Sequence, residues 1–123
     1  MPDEVIYKVL RAAEWRDAQA HGALVGSADD LRDGFIHLST QDQLTGTLLR
    51  HFAGETGLIA LEIAADRVSA GLKWEPSRDG ALFPHLYGVL PLDAVIRTVA
   101  LATPATVDEH INGAAQVRRG GSR

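Results

Sequence analysis

The chain contains no cysteine. That absence excludes a disulfide framework, a thiol nucleophile and a thiolate metal site, and it fits a reducing compartment. No apolar run approaches the ~18 residues of a membrane span, so no membrane partner is expected. Net charge is low and negative, at −4, which argues against an electrostatic grip on nucleic acid. The basic end Arg118-Arg119-Gly120-Gly121-Ser122-Arg123 is the exception, and it reads as a frayed tail. The start, Met1-Pro2-Asp3-Glu4, lacks the basic and apolar segments of a signal peptide, so the expected location is the cytoplasm. GxSxG, GxxxxGK[ST] and GxGxxG are all missing, which removes the common hydrolase and nucleotide-loop readings. His37, His51 and His85 show no HxH or HExxH spacing, so no metal site is expected.

What is present suits one soluble domain. A chain of 123 residues buries enough surface to need no staples. Residues 1–103 read as the domain and 104–123 as a C-terminal extension, with a short helix expected from Val107 to Val117. Val5 to Leu10 alternates as a strand, with Tyr7 and Val9 on one face and Ile6, Lys8 and Leu10 on the other. Ala12 to Ala20 reads as a helix stopped by Gly22. Ser27-Ala28-Asp29-Asp30 has the form of a capping box opening a short turn of helix. After the turn signal Asp33-Gly34, Phe35 to Leu38 is a short strand. Thr40-Gln41-Asp42-Gln43 is a second capping box, and its helix is expected to run to about Phe52.

Leu58 to Ile63 is the clearest strand. Asp66-Arg67-Val68 turns, and Leu72 to Glu75 is a strand ending at Pro76. Leu82 to Leu90 is expected to be irregular or a short strand, since Pro84 and Gly88 interrupt it. Ala94 to Leu101 is the last strand. Helices and strands mix without a βαβ repeat, so the fold class is α+β.

Two clusters carry the candidate chemistry. In His37-Leu38-Ser39-Thr40 a histidine and two hydroxyls sit where a strand meets a helix N-terminus, a place that suits a phosphate, a carboxylate or a ribose hydroxyl. The same residues equally suit a purely structural role, with Thr40 capping its helix, Ser39 satisfying the turn and His37 tied by hydrogen bonds. In the second cluster, Trp74-Glu75 with Phe83-Pro84-His85-Leu86-Tyr87-Gly88, His85 and Tyr87 share a side of an extended segment. With a nearby glutamate they could bind a sugar or move a proton; the structural alternative is a packed knot of Trp74, Tyr87 and His85. Glu62 rivals Glu75 as an active carboxylate, but it is expected to face solvent, because a buried charge needs a partner.

These residues carry a resemblance. Trp15, Asp33-Gly34-Phe35-Ile36-His37-Leu38-Ser39-Thr40 with Gln43, Trp74-Glu75, and Phe83 to Gly88 followed by Leu92-Asp93-Ala94-Val95 make the chain resemble the bacterial domain of unknown function 952 family, from Ile6 to about Ala100. That resemblance implies a fold like the ADP-ribosyltransferases: small split mixed or antiparallel sheets, two main helices and a cleft for a nicotinamide nucleotide. By position it implies Lys8 as the first-strand ligand residue, Ser39 and Thr40 as the Ser-Thr pair and Glu75 as the acid; joined to the two clusters above, the expected ligand-binding set is Lys8, His37, Ser39, Thr40, Gln43, Trp74 and Tyr87, with Glu75 and His85 catalytic. NAD would be a substrate, not a permanently bound cofactor, and the partner a small nucleotide-like ligand. The HLS string is also similar to one in RNA 2′-phosphotransferases. Two departures stand out. Family members often carry histidine where this chain has Lys8, and lysine meets a phosphate only as a point charge. A Glu-x-Glu transferase signature is absent.

Overall fold

The computed structural model describes residues 4–77 and 80–101. The expected helix at 107–117 and part of the loop after Ser77 lie outside them. The described chain is α+β, and every strand pairing in it is antiparallel. Among the described residues, no helix is long and apolar enough to cross a membrane.

Strand β1 (Val5–Arg11) leads directly into helix α1 (Ala12–His21), which Gly22 ends in a left-handed conformation. A two-residue β2 (Ala23–Leu24) precedes helix α2 (Ala28–Asp33), which opens on the Ser27 capping box. The short β3 (Ile36–His37) is followed by a turn of 3-10 helix over Gln41–Gln43 and then helix α3 (Leu44–His51). Strand β4 (Leu58–Ala64) and a 3-10 segment at Ala65–Gly71 lead to β5 (Leu72–Pro76). The last strands are β6 (Leu82–Leu86), β7 (Leu90–Pro91) and β8 (Val95–Leu101).

The strands form three sheets, in the orders β1-β4-β8, β3-β6-β5 and β2-β7. The first sheet is covered on both faces, which follows from the alternation in β1. Ile6 and Leu10 pack with Leu61, Ile63, Ile36, Leu86 and Leu90 in the larger core. Tyr7 and Val9 point the other way, against Leu44 and Leu48 of α3. Backbone bonds between Tyr7 and Ser39, 2.8 and 2.9 Å long, stitch the edge of β1 to the segment leaving β3.

Strand β6 settles the two alternatives left for Leu82 to Leu90 in favour of a short strand over its first part. It is regular over Leu82–Leu86 and lies at the centre of its sheet with Pro84 inside it. The proline is tolerated because its ring lies where β3 stops. The Pro84 carbonyl accepts from the Leu38 N–H at 3.1 Å, but Pro84 has no N–H to return. The ladder ends there, which explains a β3 of only two residues. Glu62 corrects an expectation. It does not face open solvent, because register stacks Tyr7, Glu62 and Arg97 side by side across the first sheet. Arg97 donates to its carboxylate at 3.0 and 3.2 Å and the Tyr7 hydroxyl donates at 3.0 Å. Burial, then the Glu62 charge, pushes the Tyr7 hydroxyl well above its ordinary range.

Candidate functional site

The site grows from one face of the β3-β6-β5 sheet. His37 lies directly opposite His85, and Lys73 opposite His85 on the other side. Alternation therefore puts Phe35, His37, Lys73, Glu75, Phe83, His85 and Tyr87 on one face. Ile36, Leu72 and Leu86 take the other and enter the core. Phe35 is the centre of this group. Its ring stacks on His85 at 4.1 Å and lies 4.6 Å from His37 and 5.2 Å from Tyr87.

His85 is 6% exposed. Its Nδ1 lies 2.7 Å from Glu75 Oε1, and the Tyr87 hydroxyl donates to the same oxygen at 2.8 Å. The His85 and Tyr87 hydrogen bonds hold the Glu75 carboxyl below its ordinary range, and the bond to Glu75 raises the Tyr87 hydroxyl. Gly71 makes this possible. Tyr87 donates its N–H to the Gly71 carbonyl at 2.8 Å, and any Cβ on Gly71 would collide with the Tyr87 carbonyl.

The opposite wall is built on Asp30, which is 2% exposed. Its carboxylate accepts from the N–H of Ser27 at 2.9 Å and of His37 at 3.0 Å, lies 2.6 Å from His37 Nδ1, and pairs with Lys8 Nζ at 2.8 Å. Burial works against ionisation of Asp30, but the His37 hydrogen bond and the Lys8 charge outweigh it, so its carboxyl titrates far below the ordinary range. Gly26 gives Asp30 its room, since a Cβ there would lie 2.6 Å from the Asp30 Cβ. The second ring nitrogen of His37 lies 2.9 Å from Asp33 Oδ2. Carboxylates only accept, so both contacts are made at once only by the doubly protonated ring. The Arg32 hydrogen bond, with His37 nearby, lowers Asp33 as well.

Between the walls lies a cleft of about 260 Å³. It is lined by the buried Tyr7, Lys8, Ser39 and His85, by His37, and by the exposed Arg50 and His51 of α3. No described carboxylate pairs with Arg50.

Residues 9–98 match the family described as "Protein of unknown function (DUF952)". The chain belongs to that family. Two solved structures of protein CC0527 from Caulobacter crescentus are similar to it. The X-ray structure is 48% identical with a TM-score of 0.74, covering 76% of this chain and 82% of that one. The solution structure is 44% identical with a TM-score of 0.73, covering 85% and 95%. No curated protein matches the chain.

The fold of this DUF952 protein gathers some of the nominated residues and disperses others. Lys8, His37, Ser39 and His85 line the cleft together. Glu75 and Tyr87 stand behind His85. Thr40 and Gln43 do not line the cleft. The Thr40 N–H donates to Gln43 Oε1 at 3.0 Å and Gln43 Nε2 donates to the Leu82 carbonyl at 2.8 Å, so this pair fastens the start of the α3 segment to β6. Two N–H groups of the anion cradle expected of that junction are already engaged, since the Ser39 N–H is also taken, by the Tyr7 carbonyl. Trp74 lies on the sheet face opposite Glu75 and pairs with Pro84, so it joins neither the cleft nor Tyr87. Lys8, expected to meet a ligand phosphate, pairs instead with Asp30 and donates to the His37 carbonyl at 3.2 Å. Asp30, Asp33 and Arg50 were not nominated. The capping box marked Asp30 as a local partner of Ser27, but a distant ion pair leaves no local pattern. Among the described residues, no group of His, Asp and Glu is arranged to hold a metal ion.

Proposed function

We propose that this DUF952 protein binds a small nucleotide-like ligand in the cleft, with NAD or its ADP-ribose portion as the leading chemistry. One observation carries the reading: Lys8, His37, Ser39 and His85 converge on one cavity, although they come from three separate strand segments. At about 260 Å³ the cavity is near the lower end of ligand clefts, which run ~300–1,000 Å³. It suits one nucleoside-sized portion, with the remainder of a dinucleotide lying outside near Arg50. Antiparallel sheets around a cleft are also what a likeness to the ADP-ribosyltransferases implies. On this reading the activity is transfer or hydrolysis at a ribosyl carbon, where positive charge develops as the bond to the leaving group breaks and the leaving group takes the bonding pair.

A second reading is that the domain binds without catalysis or serves only as a scaffold. It is favoured by how completely the polar groups satisfy one another: Ser39 Oγ bonds Thr47 Oγ1 at 2.8 Å, and Lys8 is paired with Asp30. Thermal unfolding with NAD, ADP-ribose and nicotinamide separates the readings. Ligand at 100 times its Kd adds about 2.7 kcal/mol, several degrees for a domain of this size. The expected result is a shift with NAD or ADP-ribose that Arg50→Ala reduces. No shift with any of them removes the nucleotide reading. A shift without nicotinamide release favours binding alone.

A further inference from the structure

We infer that His85 is a general base for a ligand hydroxyl, and that Glu75 is a positioning residue acting through it. The inference rests on the cleft being a ligand site, but its chemistry is independent of which ligand binds. Glu75 Oε1 lies 2.7 Å from His85 Nδ1, and a carboxylate only accepts. Nδ1 therefore carries a proton, and in the neutral ring Nε2 keeps its lone pair. The ring faces the cleft, and among the described residues only its Nδ1 has a hydrogen-bond partner. Tyr87 anchors the carboxylate at the same oxygen, and the Phe35 stack fixes the ring plane at 22° to its own. Three contacts thus hold one tautomer in one orientation.

His37 has the opposite arrangement. Each of its ring nitrogens meets a carboxylate, at 2.6 and 2.9 Å, which leaves no lone pair for a substrate. Two histidines whose centroids are 5.8 Å apart thereby differ: both ring nitrogens of His37 are engaged by carboxylates, whereas His85 keeps one toward the cleft. In the step itself, the hydroxyl proton passes to Nε2 and the O–H bonding pair stays on the oxygen, which becomes the nucleophile. The imidazolium that results is stabilised by Glu75.

Diethyl pyrocarbonate tests this without any ligand. The imidazole lone pair attacks a carbonyl carbon of the reagent, an N–C bond forms, the anhydride C–O bond breaks, and ethyl carbonate leaves with the bonding pair. The ring then loses its other proton. Peptide mass spectrometry reads the rate at His85 against exposed His21 in the same sample. His85 is expected to react at least as fast as His21, despite its burial. In Glu75→Gln the side-chain amide donates to Nδ1 and moves the ring proton to Nε2, so acylation slows about tenfold or more, the factor equivalent to one charge-assisted hydrogen bond. An unreactive His85 in the wild type, or an unchanged rate in Glu75→Gln, overturns the inference. A long-range ¹H–¹⁵N spectrum of the wild type needs no variant. A bare Nε2 and protonated Nδ1 at His85 are expected, and the reverse tautomer overturns the assignment. Protection of His85 by added ADP-ribose is a separate arm. Its failure counts against the nucleotide reading and leaves the base assignment standing.

Discussion

Replacing Asp30 with asparagine removes one charge from a buried carboxylate that meets Ser27, His37 and Lys8, and changes almost no volume. The Lys8 and Asp30 side chains are 7% and 1% exposed. Breaking a buried ion pair by removing one partner costs about 3–5 kcal/mol, because the remaining charge keeps its desolvation penalty and loses its compensation. At ~4 °C per kcal/mol for a chain of this size, the midpoint falls by roughly 12–20 °C. Urea unfolding with an unchanged slope is the assay. Lys8→Met alone should cost a similar amount, since it leaves Asp30 buried. The double variant Asp30→Asn with Lys8→Met should lose clearly less than the sum of the two single variants, because either single change already breaks the ion pair. A loss below about 1 kcal/mol in Asp30→Asn, or strict additivity in the double variant, would refute the claim that this pair organises the cleft wall.

Acid sensitivity follows from the same residue. The folded-state value of Asp30 lies below its ordinary 3.8, so within that window the unfolded chain binds more protons. The stabilisation is therefore fully present above about pH 4–5 and is lost as pH falls toward the folded-state value, a limb that Asp30→Asn should flatten in acid titration of the unfolding free energy. Leu48 is fully buried between α3 and the first sheet, and Leu48→Ala should cost ~2–5 kcal/mol by denaturant unfolding. Gly71→Ala forces the 3-10 segment away from Tyr87, for a cost of about 1–3 kcal/mol and a changed Tyr87 ring environment by NMR. Arg97→Ala leaves Glu62, among the described residues, with the Tyr7 hydroxyl alone, and about 1.5–3 kcal/mol should be lost in a thermal melt.

Local sequence already determines a good deal of this protein. Alternation in Val5 to Leu10 sorts Tyr7 and Val9 from Ile6 and Leu10, and that division is the division between the two cores. Ser27-x-x-Asp30 and Thr40-x-x-Gln43 open helical segments where their capping chemistry requires. Glu75, His85 and Tyr87 are legible as a group because the β5–β6 hairpin keeps them close in sequence as well as in space. Such features depend on neighbours a few residues apart, so the chain carries them before it folds. Tertiary structure alone decides the rest. Alternation says that Trp74 and Glu75 face opposite ways, but only strand pairing says that Glu75 takes the His85 side. Pro84 reads as an interruption until the end of β3 opposite it removes the need for a donor. Lys8 reads as a free cation, and Asp30 as a cap, until packing brings β1 against α2 and buries both charges together. Burial is a property of the whole assembled surface, and so the pairing of those two charges is written in no short segment of the chain.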